Sequence, residues 1–429
     1  MSQLTATKNT RWVLLSTPLA AALVLAGCSG TQAPGSTEDP TLAGFSLMVP
    51  QASELDDPYE QLAAQYSEET GVEIEVLPYQ AESYNNQLTT QLQGGNAADL
   101  MVLIPGGGQA VTVTTIAESG FLAPLGEASS AIIPTGQESL FGIDGEIYGQ
   151  PTALAPTSLV WNGPGGQSVG IEQYPATYED LLEDCATARE GGKTVMVVAG
   201  TISFNTGLLA ATMSATRVYQ ENPDWNEQRS AGDVTFADSG WRDLLEDIVE
   251  MNDAGCFQDG VAGGTFDSIT QGLGGQTALS APVPGSAAAQ INQGAGLELN
   301  VQAFPPAEGQ EPYAVVSASY AWAINAAAED DAKISAQAFL DWAAEPEQAQ
   351  TFADLSGLIP ISGATAETVS AEYEPMAALI ESGSYTGFPV ETWPNPAVYD
   401  ALSVGIQGLF TGQNTVDQIL DEMDAAWDA

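Results

Sequence analysis

A regular alternation of short apolar stretches with amphipathic stretches constrains the fold more than any other feature of this sequence. Strands are predicted at residues 44–49, 72–77 and 99–104. Between them, apolar residues at helical spacing predict helices at 58–70 and 84–93. Strands that alternate with helices indicate an α/β layer structure with a largely parallel sheet.

The same alternation continues to the end of the chain. Further strands are predicted at 194–199 and 317–324, and further helices at 178–189, 241–254, 331–344 and 415–427. Asp144-Gly145, between two short apolar stretches, predicts a tight hairpin turn. A chain of 429 residues exceeds what one hydrophobic core usually supports, so two lobes are expected.

The N-terminal segment has the pattern of an export signal. Lys8 and Arg11 precede an uncharged, mostly apolar stretch that ends at Cys28. The stretch 25–28, Leu-Ala-Gly-Cys, resembles a bacterial lipobox, which implies a signal peptide at 1–27 and a lipidated Cys28. The following Gly-, Pro-, Ser- and Thr-rich residues 28–42 predict a flexible tether. We expect a domain held by a lipid anchor at the extracytoplasmic face of the bacterial cell membrane.

The charge balance and the absence of histidine exclude several classes of function. The chain has 56 acidic residues, 8 basic residues and no histidine, for a formal charge of −48. Nucleic-acid binding is excluded because it needs clustered Lys and Arg to neutralise phosphates. Ser-His-Asp catalysis and His-ligated zinc are excluded by composition, which leaves paired carboxylates as the main catalytic possibility.

Two cysteines remain beyond Cys28. Cys185 and Cys256 have no CxxC spacing, so a tetrahedral metal site is not expected. In an exported protein they form either a disulfide or two buried thiols. No motif indicates a cofactor.

Seven blocks, in a fixed order, resemble the extracellular solute-binding proteins of ABC importers, in particular the sugar-binding family that includes maltose-binding protein. The blocks span nearly all of the chain after the tether and lie at residues 59–76, 88–103, 120–125, 144–162, 174–192, 319–360 and 409–427. The resemblance implies an α/β, two-lobed, periplasmic-binding-protein-like fold of type II. Each lobe would be a mainly parallel sheet flanked by helices, and hinge crossings would join the lobes.

The resemblance also implies the lobe boundaries. The N-terminal lobe would comprise residues 43–157 and 313–358, and the C-terminal lobe residues 158–304 and 359–429. The crossings would then fall near 158–162, 305–312 and 357–362.

Sugar-binding sites combine aromatic platforms with amides and hydroxyls that orient the ligand. Such residues occur at positions that match the cleft segments of the family, and the predicted ligand-binding residues are Gln51, Ser53, Gln109, Thr157, Phe204, Asn205, Tyr320, Trp322, Trp393 and Tyr399. Tyr320 and Trp322 are expected on one face of the strand 317–324.

No basic residue falls in a predicted cleft segment, so an anionic ligand would lack a counter-charge. The prediction is a monomeric, non-enzymatic binding protein that captures a neutral sugar or oligosaccharide and delivers it to ABC permease subunits. Alternatives are a binding protein for a cationic solute such as a polyamine, a secreted glycoside hydrolase that uses two carboxylates, and a lipid-anchored structural protein.

Overall fold

The computed structural model describes residues 42–51, 57–107, 111–284 and 286–429. The predicted signal peptide and Cys28 lie outside these residues, as does the predicted tether up to residue 41. Residues 42–429 form one compact unit. None of the helices in the described part of the chain combines the length and the apolar character needed to cross a bilayer.

The regular elements follow the alternation that the sequence predicts. The strands are Phe45–Gln51 (β1), Ile74–Gln80 (β2), Leu100–Leu103 (β3), Gly142–Ile143 (β4), Glu146–Ile147 (β5), Gln150–Pro151 (β6), Ala153–Asn162 (β7), Thr194–Met196 (β8), Ala278–Pro284 (β9), Leu299–Gln302 (β10), Ala314–Ala318 (β11), Ala321–Ile324 (β12), Ile359–Pro360 (β13) and Tyr385–Thr386 (β14). The helices are Pro58–Thr70 (α1), Ala81–Gly94 (α2), Val113–Glu118 (α3), Glu127–Ala131 (α4), Gly163–Gln167 (α5), Tyr178–Glu190 (α6), Ser203–Ser214 (α7), Trp225–Ala231 (α8), Gly240–Asp253 (α9), Phe266–Gly274 (α10), Ser286–Ala295 (α11), Asp330–Ala343 (α12), Pro346–Ser356 (α13), Glu374–Ser382 (α14), Pro396–Thr411 (α15) and Val416–Trp427 (α16).

Local sequence signals explain why α1 begins and ends where the sequence predicts. The Asp57 side chain accepts hydrogen bonds from the backbone N–H groups of Tyr59 and Glu60, and Pro58 occupies the first turn. Gly71 ends the helix with φ of 77°, a left-handed conformation that glycine adopts without steric cost. The predicted bounds of this helix are confirmed.

The first lobe is built on a sheet with strand order β2-β1-β3-β12-β6. β1 pairs in parallel with β2 and β3, whereas β12 is antiparallel to β3 and β6. Successive residues of β1 point to opposite faces, and each face packs into its own core. Leu47 packs with Tyr59 and Phe339, while Met48 packs with Tyr84 and other residues of the opposite core. Burial on both faces explains why the central strands β3 and β12 are continuously apolar.

The second lobe is built on a sheet with strand order β14-β11-β7-β9-β8, in which β10 and β13 also pair with β7. β7 is antiparallel to all of these neighbours. Parallel pairing is found between β8 and β9 and between β11 and β14. The mainly parallel sheet expected for this lobe is therefore corrected to a mixed sheet organised around one long antiparallel strand.

A disulfide joins Cys185 on α6 to Cys256 after α9 and closes a loop with a sequence separation of 71 residues. Both cysteines are fully buried in the core of the second lobe. Of the two possibilities that the sequence leaves open, the structure shows the disulfide.

The chain passes from one sheet to the other at three places. The first passage is at Thr152, between β6 and β7, and the second at residues 319–320, between β11 and β12. The third is at residues 357–358, between α13 and β13. The first two passages differ from the predicted crossings at 158–162 and 305–312, because β7 and β11 belong entirely to the second sheet. The third lies within the segment 357–362, where a crossing stays a prediction.

The single strand predicted at 317–324 is also corrected. The apolar run contains two strands, β11 and β12, which belong to different sheets and are separated by Ser319 and Tyr320. The predicted hairpin turn is confirmed, since Asp144 and Gly145 both have positive φ, of 53° and 84°, between β4 and β5.

Candidate functional site

The first two passages between the sheets lie side by side. The backbone N–H of Thr152 donates to the carbonyl of Tyr320 at 3.0 Å, and the hydroxyls of Thr152 and Ser319 are 3.1 Å apart. Tyr320 is 38% exposed even though buried strands flank it on both sides. An aromatic side chain is thus available to solvent at the junction of the lobes.

An aromatic group on the second lobe consists of Phe204, Phe388 and Tyr399. Phe204, in the first turn of α7, is 47% exposed. The hydroxyl of Tyr399 on α15 donates to the Phe204 carbonyl at 3.2 Å, and the rings of Phe388 and Tyr399 lie 6.4 Å apart at 69°. Burial raises the pKa of Tyr399, so its hydroxyl stays protonated and can donate. We call these three residues the aromatic group.

Buried hydrogen bonds fix the position of α7 and therefore of Phe204. The Asn205 amide accepts from the Ala199 N–H at 2.8 Å and donates to the Pro282 carbonyl at 2.7 Å. A side chain at Gly207 would overlap the phenol of Tyr399, so the close approach of α7 to α15 requires glycine there. These contacts hold Phe204 at the ends of β8 and β9.

A second set of contacts places Phe388 next to the passage. The Ser317 hydroxyl on β11 accepts a hydrogen bond from the Phe388 N–H at 2.5 Å. Ser317 lies three residues before Tyr320 in the sequence, and Val315 on the same strand pairs with both Thr157 and Thr386. The hydrogen bond therefore anchors Phe388 to the strand that ends just before the passage. Among the described residues, Tyr320 makes no direct ring contact with the group.

The basic residues of the described chain all bind acidic or carbonyl groups away from the aromatic group. Their partners are Asp259 for Arg189, the Gln276 carbonyl for Lys193, Asp247 for Arg217, Asp424 and Asp428 for Arg229, Asp417 for Arg242, and Asp330 for Lys333. The surroundings of the aromatic group are therefore neutral or acidic, which disfavours an anionic ligand.

Two of the predicted platforms are buried. Trp322 is 2% exposed, and its ring packs edge-on against Tyr59 and Phe339 in the core of the first lobe. Trp393 is 7% exposed and packs against Trp241 in the core of the second lobe. Neither ring offers a free face to a ligand in this structure. Asn205 is also buried, and its amide bonds are made within the protein, so its observed role is structural.

The remaining predicted residues have different positions. Gln51 is the last residue of β1 and is half-buried, and Thr157 is a half-buried residue in the middle of β7. Ser53 and Gln109 lie outside the described residues. Only Phe204 and Tyr399 are in direct contact among the predicted residues that the structure describes.

Sequence reasoning missed Phe388 and Ser317. The signal for Phe388 was present, since the ring lies between Gly387 and Pro389 in a loop before a predicted site segment. No local signal identifies Ser317, because its role depends on a hydrogen bond to a residue 71 positions away.

Comparison with known proteins agrees with this architecture. The model of the bacterial extracellular solute-binding protein family matches residues 61–378. Over 368 residues the chain is 25% identical to a maltooligosaccharide ABC transporter solute-binding lipoprotein of Streptococcus pneumoniae, which covers 81% of this chain and 79% of that protein. Over 248 residues it is 27% identical to the osmoprotective compounds-binding protein GgtB of Synechocystis. This second match spans 55% of the chain and only about half, 56%, of that relative.

A solved structure, the cyclic α-maltosyl-1,6-maltose binding protein of Arthrobacter globiformis, superimposes with a TM-score of 0.70 at 17% identity. The superposition covers 90% of this chain and 98% of that one, so it confirms the two-lobed fold. Because the family model matches well over half of its length, the chain belongs to the family of bacterial extracellular solute-binding proteins.

Proposed function

We propose that this protein is the substrate-binding component of an ABC importer, that it captures a neutral sugar or oligosaccharide outside the membrane, and that it delivers the ligand unaltered to the permease. The observation that carries the proposal is the aromatic group, whose member Phe388 is hydrogen-bonded to Ser317 on the strand that leads into the passage between the lobes. Another member, Phe204, is a large, exposed apolar side chain held in place by buried contacts.

The chemistry of this region suits a neutral polyhydroxyl ligand. Sugars present apolar C–H faces, which stack on aromatic rings, and hydroxyls, which need polar partners. Phe204 and Tyr320 supply exposed rings, and Ser319, half-buried at the passage, supplies a hydroxyl that the buried Thr152 hydroxyl contacts from within. Since the described Lys and Arg residues all have partners elsewhere, we favour an uncharged ligand.

The names of related proteins support the same class of ligand. The pneumococcal relative is named for maltooligosaccharides, and the superimposable protein from Arthrobacter is named for a cyclic maltosyl-maltose. The pneumococcal relative is also named a lipoprotein, which supports a lipid anchor at Cys28 and export to the outer face of the cell membrane. We propose that the mature protein acts there as a tethered monomer.

Capture would use the three passages as a hinge. A ligand that contacts both lobes makes more contacts when they are close together, so binding shifts the population towards the closed form. Closure would then present both lobes together to the permease. We place the hinge at Thr152, at residues 319–320 and at residues 357–358.

The test is a screen of unmodified neutral sugars by thermal shift, followed by calorimetry on the purified protein. We expect one class of oligosaccharide to stabilise the wild type. The Phe204→Ala variant should then bind that sugar about 5- to 150-fold more weakly, since loss of one stacking platform costs about 1–3 kcal/mol. Phe204 is exposed, so the melting temperature without ligand should change little.

Ile334→Ala is the matched control. Ile334 is 53% exposed on α12 in the first lobe, away from the aromatic group, so its truncation should leave affinity unchanged. Equal affinities of Phe204→Ala and wild type would overturn the placement of the site. If the protein hydrolysed chromogenic glycosides and no sugar raised its melting temperature, the result would favour a glycosidase over a binding protein.

A further inference from the structure

A cavity lies at the junction of the two lobes. Its volume is about 400 Å³, and it is lined by parts of three segments, 136–140 of the first lobe and 219–230 and 386–392 of the second. The first-lobe segment is tied to the second lobe, because the Gln137 amide donates to the Val316 carbonyl at 2.8 Å. The cavity is therefore lined by both lobes and open to solvent.

Glu391 lines this cavity with a half-buried carboxyl that lacks a positive partner among the described residues. Its one described hydrogen bond is accepted from the Ser317 hydroxyl at 3.3 Å, and it forms no ion pair with a described residue. Burial raises its pKa to about 8, and the Ser317 hydroxyl lowers it only partly. An ionised carboxylate in such a place is unstable without a compensating cation.

A second, independent group in the cavity wall also lacks a partner. Gln137 is 3% exposed, and while its amide nitrogen is bonded to Val316, its Oε1 accepts no hydrogen bond from a described residue. The neighbouring amide of Asn226 is fully used, since it binds Tyr219, Trp393, Thr392 and the Pro389 carbonyl. The unsatisfied side-chain atom in the described cavity wall, Gln137 Oε1, is thus an acceptor that needs a donor from outside.

The ring of Phe388 completes this environment, because aromatic faces attract cations. The described part of the chain contains no cluster of three or more acidic or cysteine ligands that could hold a metal ion. The volume also exceeds what a single ion needs and suits a molecule of several heavy atoms. We propose that the cavity binds a small alkylammonium cation between the Glu391 carboxylate, the Gln137 amide oxygen and the Phe388 ring.

The cavity shares Phe388 with the aromatic group, but the exposed rings of the proposed sugar site are Phe204 and Tyr320, which do not line the cavity, so the two ligands should bind at the same time. The other titratable groups that face Glu391 across the cavity are the exposed carboxylate of Glu227 on α8 and the buried phenol of Tyr219. The lining residues of the first lobe include no titratable side chain. Glu391 is therefore the group whose ionisation should follow cation binding.

Putrescine is the probe, and 1,4-butanediol is its neutral control of similar shape. At pH 6, about 1% of a carboxyl group with a pKa of 8 is ionised, against about 90% at pH 9. Calorimetry should therefore show putrescine binding at least about tenfold tighter at pH 9 than at pH 6, with release of a proton near neutral pH. Butanediol should not bind.

The decisive variant is Glu391→Gln, which mimics the neutral carboxyl and should keep the fold. It should weaken putrescine binding at pH 9 at least about tenfold and abolish the proton release. Glu381→Gln, an exposed change on α14, controls for general attraction to an acidic protein and should behave as wild type.

If Glu391→Gln and Glu381→Gln lost the same putrescine affinity, the cation would be attracted only by the net charge of the protein, and the proposed site would be wrong. Wild-type binding by Glu391→Gln would also overturn the site. Competition between putrescine and a sugar that binds would mean one shared site and would also contradict the inference. Failure to find a sugar would leave the putrescine result interpretable, so the two proposals can fail separately.

Discussion

The two lobes differ in how they are held together. In the first lobe, the described ion pair is Lys333 with Asp330, between neighbours on one helix, and the Asp330 side chain is 94% exposed. Its core depends on apolar packing, with an aromatic cluster of Tyr59, Trp322, Phe339 and Phe352. The second lobe has the disulfide and ion pairs formed by all four described arginines.

This difference shows where a chain with a formal charge of −48 places its few basic side chains. Carboxylates repel one another, and each arginine relieves that repulsion locally. In the second lobe Arg217 and Arg229 do so in the interior, with guanidinium groups that also lie over aromatic rings. The first lobe has no comparable cross-link among its described residues, so its stability should respond to packing changes, and that of the second lobe to charge and redox changes.

The largest effect is expected from Trp322→Ala in the first lobe. Truncation of a fully buried aromatic side chain leaves a cavity and should lower the free energy of unfolding by about 4–5 kcal/mol. Urea unfolding followed by circular dichroism measures it. Trp342→Ala is the control, because Trp342 is only half-buried and its indole donates to Glu69 at the surface. If both variants lost the same stability, the first lobe would not depend on this cluster.

Removal of the disulfide should have the next largest effect, and only in the second lobe. Closure of a loop of this length restricts the unfolded chain, so Cys185→Ala with Cys256→Ala should cost about 3–4 kcal/mol. Hydrogen exchange should quicken in β8 and α6 while exchange in β1 and β3 stays at the wild-type rate. Faster exchange in both sheets would show that the lobes unfold as one unit and would break the comparison.

The sequence predicted those features of the fold that local signals determine. The bounds of α1 follow from Asp57, Pro58 and Gly71, all within or next to the helix. The break at Ser319 and Tyr320 could not be predicted, because a run of apolar residues does not show that the chain changes sheets within it. The position of the break is determined by strand pairing, because β11 pairs with β7 in the second sheet and β12 pairs with β3 in the first.

The candidate site was less predictable because it too depends on contacts between segments that are distant in the sequence. Phe204 and Tyr399 are 195 positions apart, and their contact depends on the absence of a side chain at Gly207. Trp322 and Trp393 have the same chemistry as a sugar platform, but their neighbours bury them. Residue type indicates what a ring can bind, whereas exposure is decided by packing between distant segments.

The smallest of the three effects is expected from Arg217→Met, which tests whether buried charge supports the second lobe. Arg217 donates to Asp247 at 2.6 Å, and both side chains are less than a fifth exposed. Burial raises the pKa of Asp247, and Arg217 opposes that rise. Without the arginine the pKa should rise further, and the uncompensated carboxylate should cost about 3 kcal/mol at neutral pH.

The sign of the pH dependence distinguishes this cause from lost packing. In the variant, folded Asp247 takes up a proton at a higher pH than the unfolded chain does, so the stability deficit should shrink as the pH falls from 8 towards 5. Arg217→Met with Asp247→Leu removes both charges and should recover most of the loss at pH 7. Arg242→Met, which breaks an exposed pair with Asp417, should cost less than about 1 kcal/mol. A deficit independent of pH and unchanged in the double variant would mean that Arg217 acts by packing against Tyr178 and Phe304 rather than by its charge.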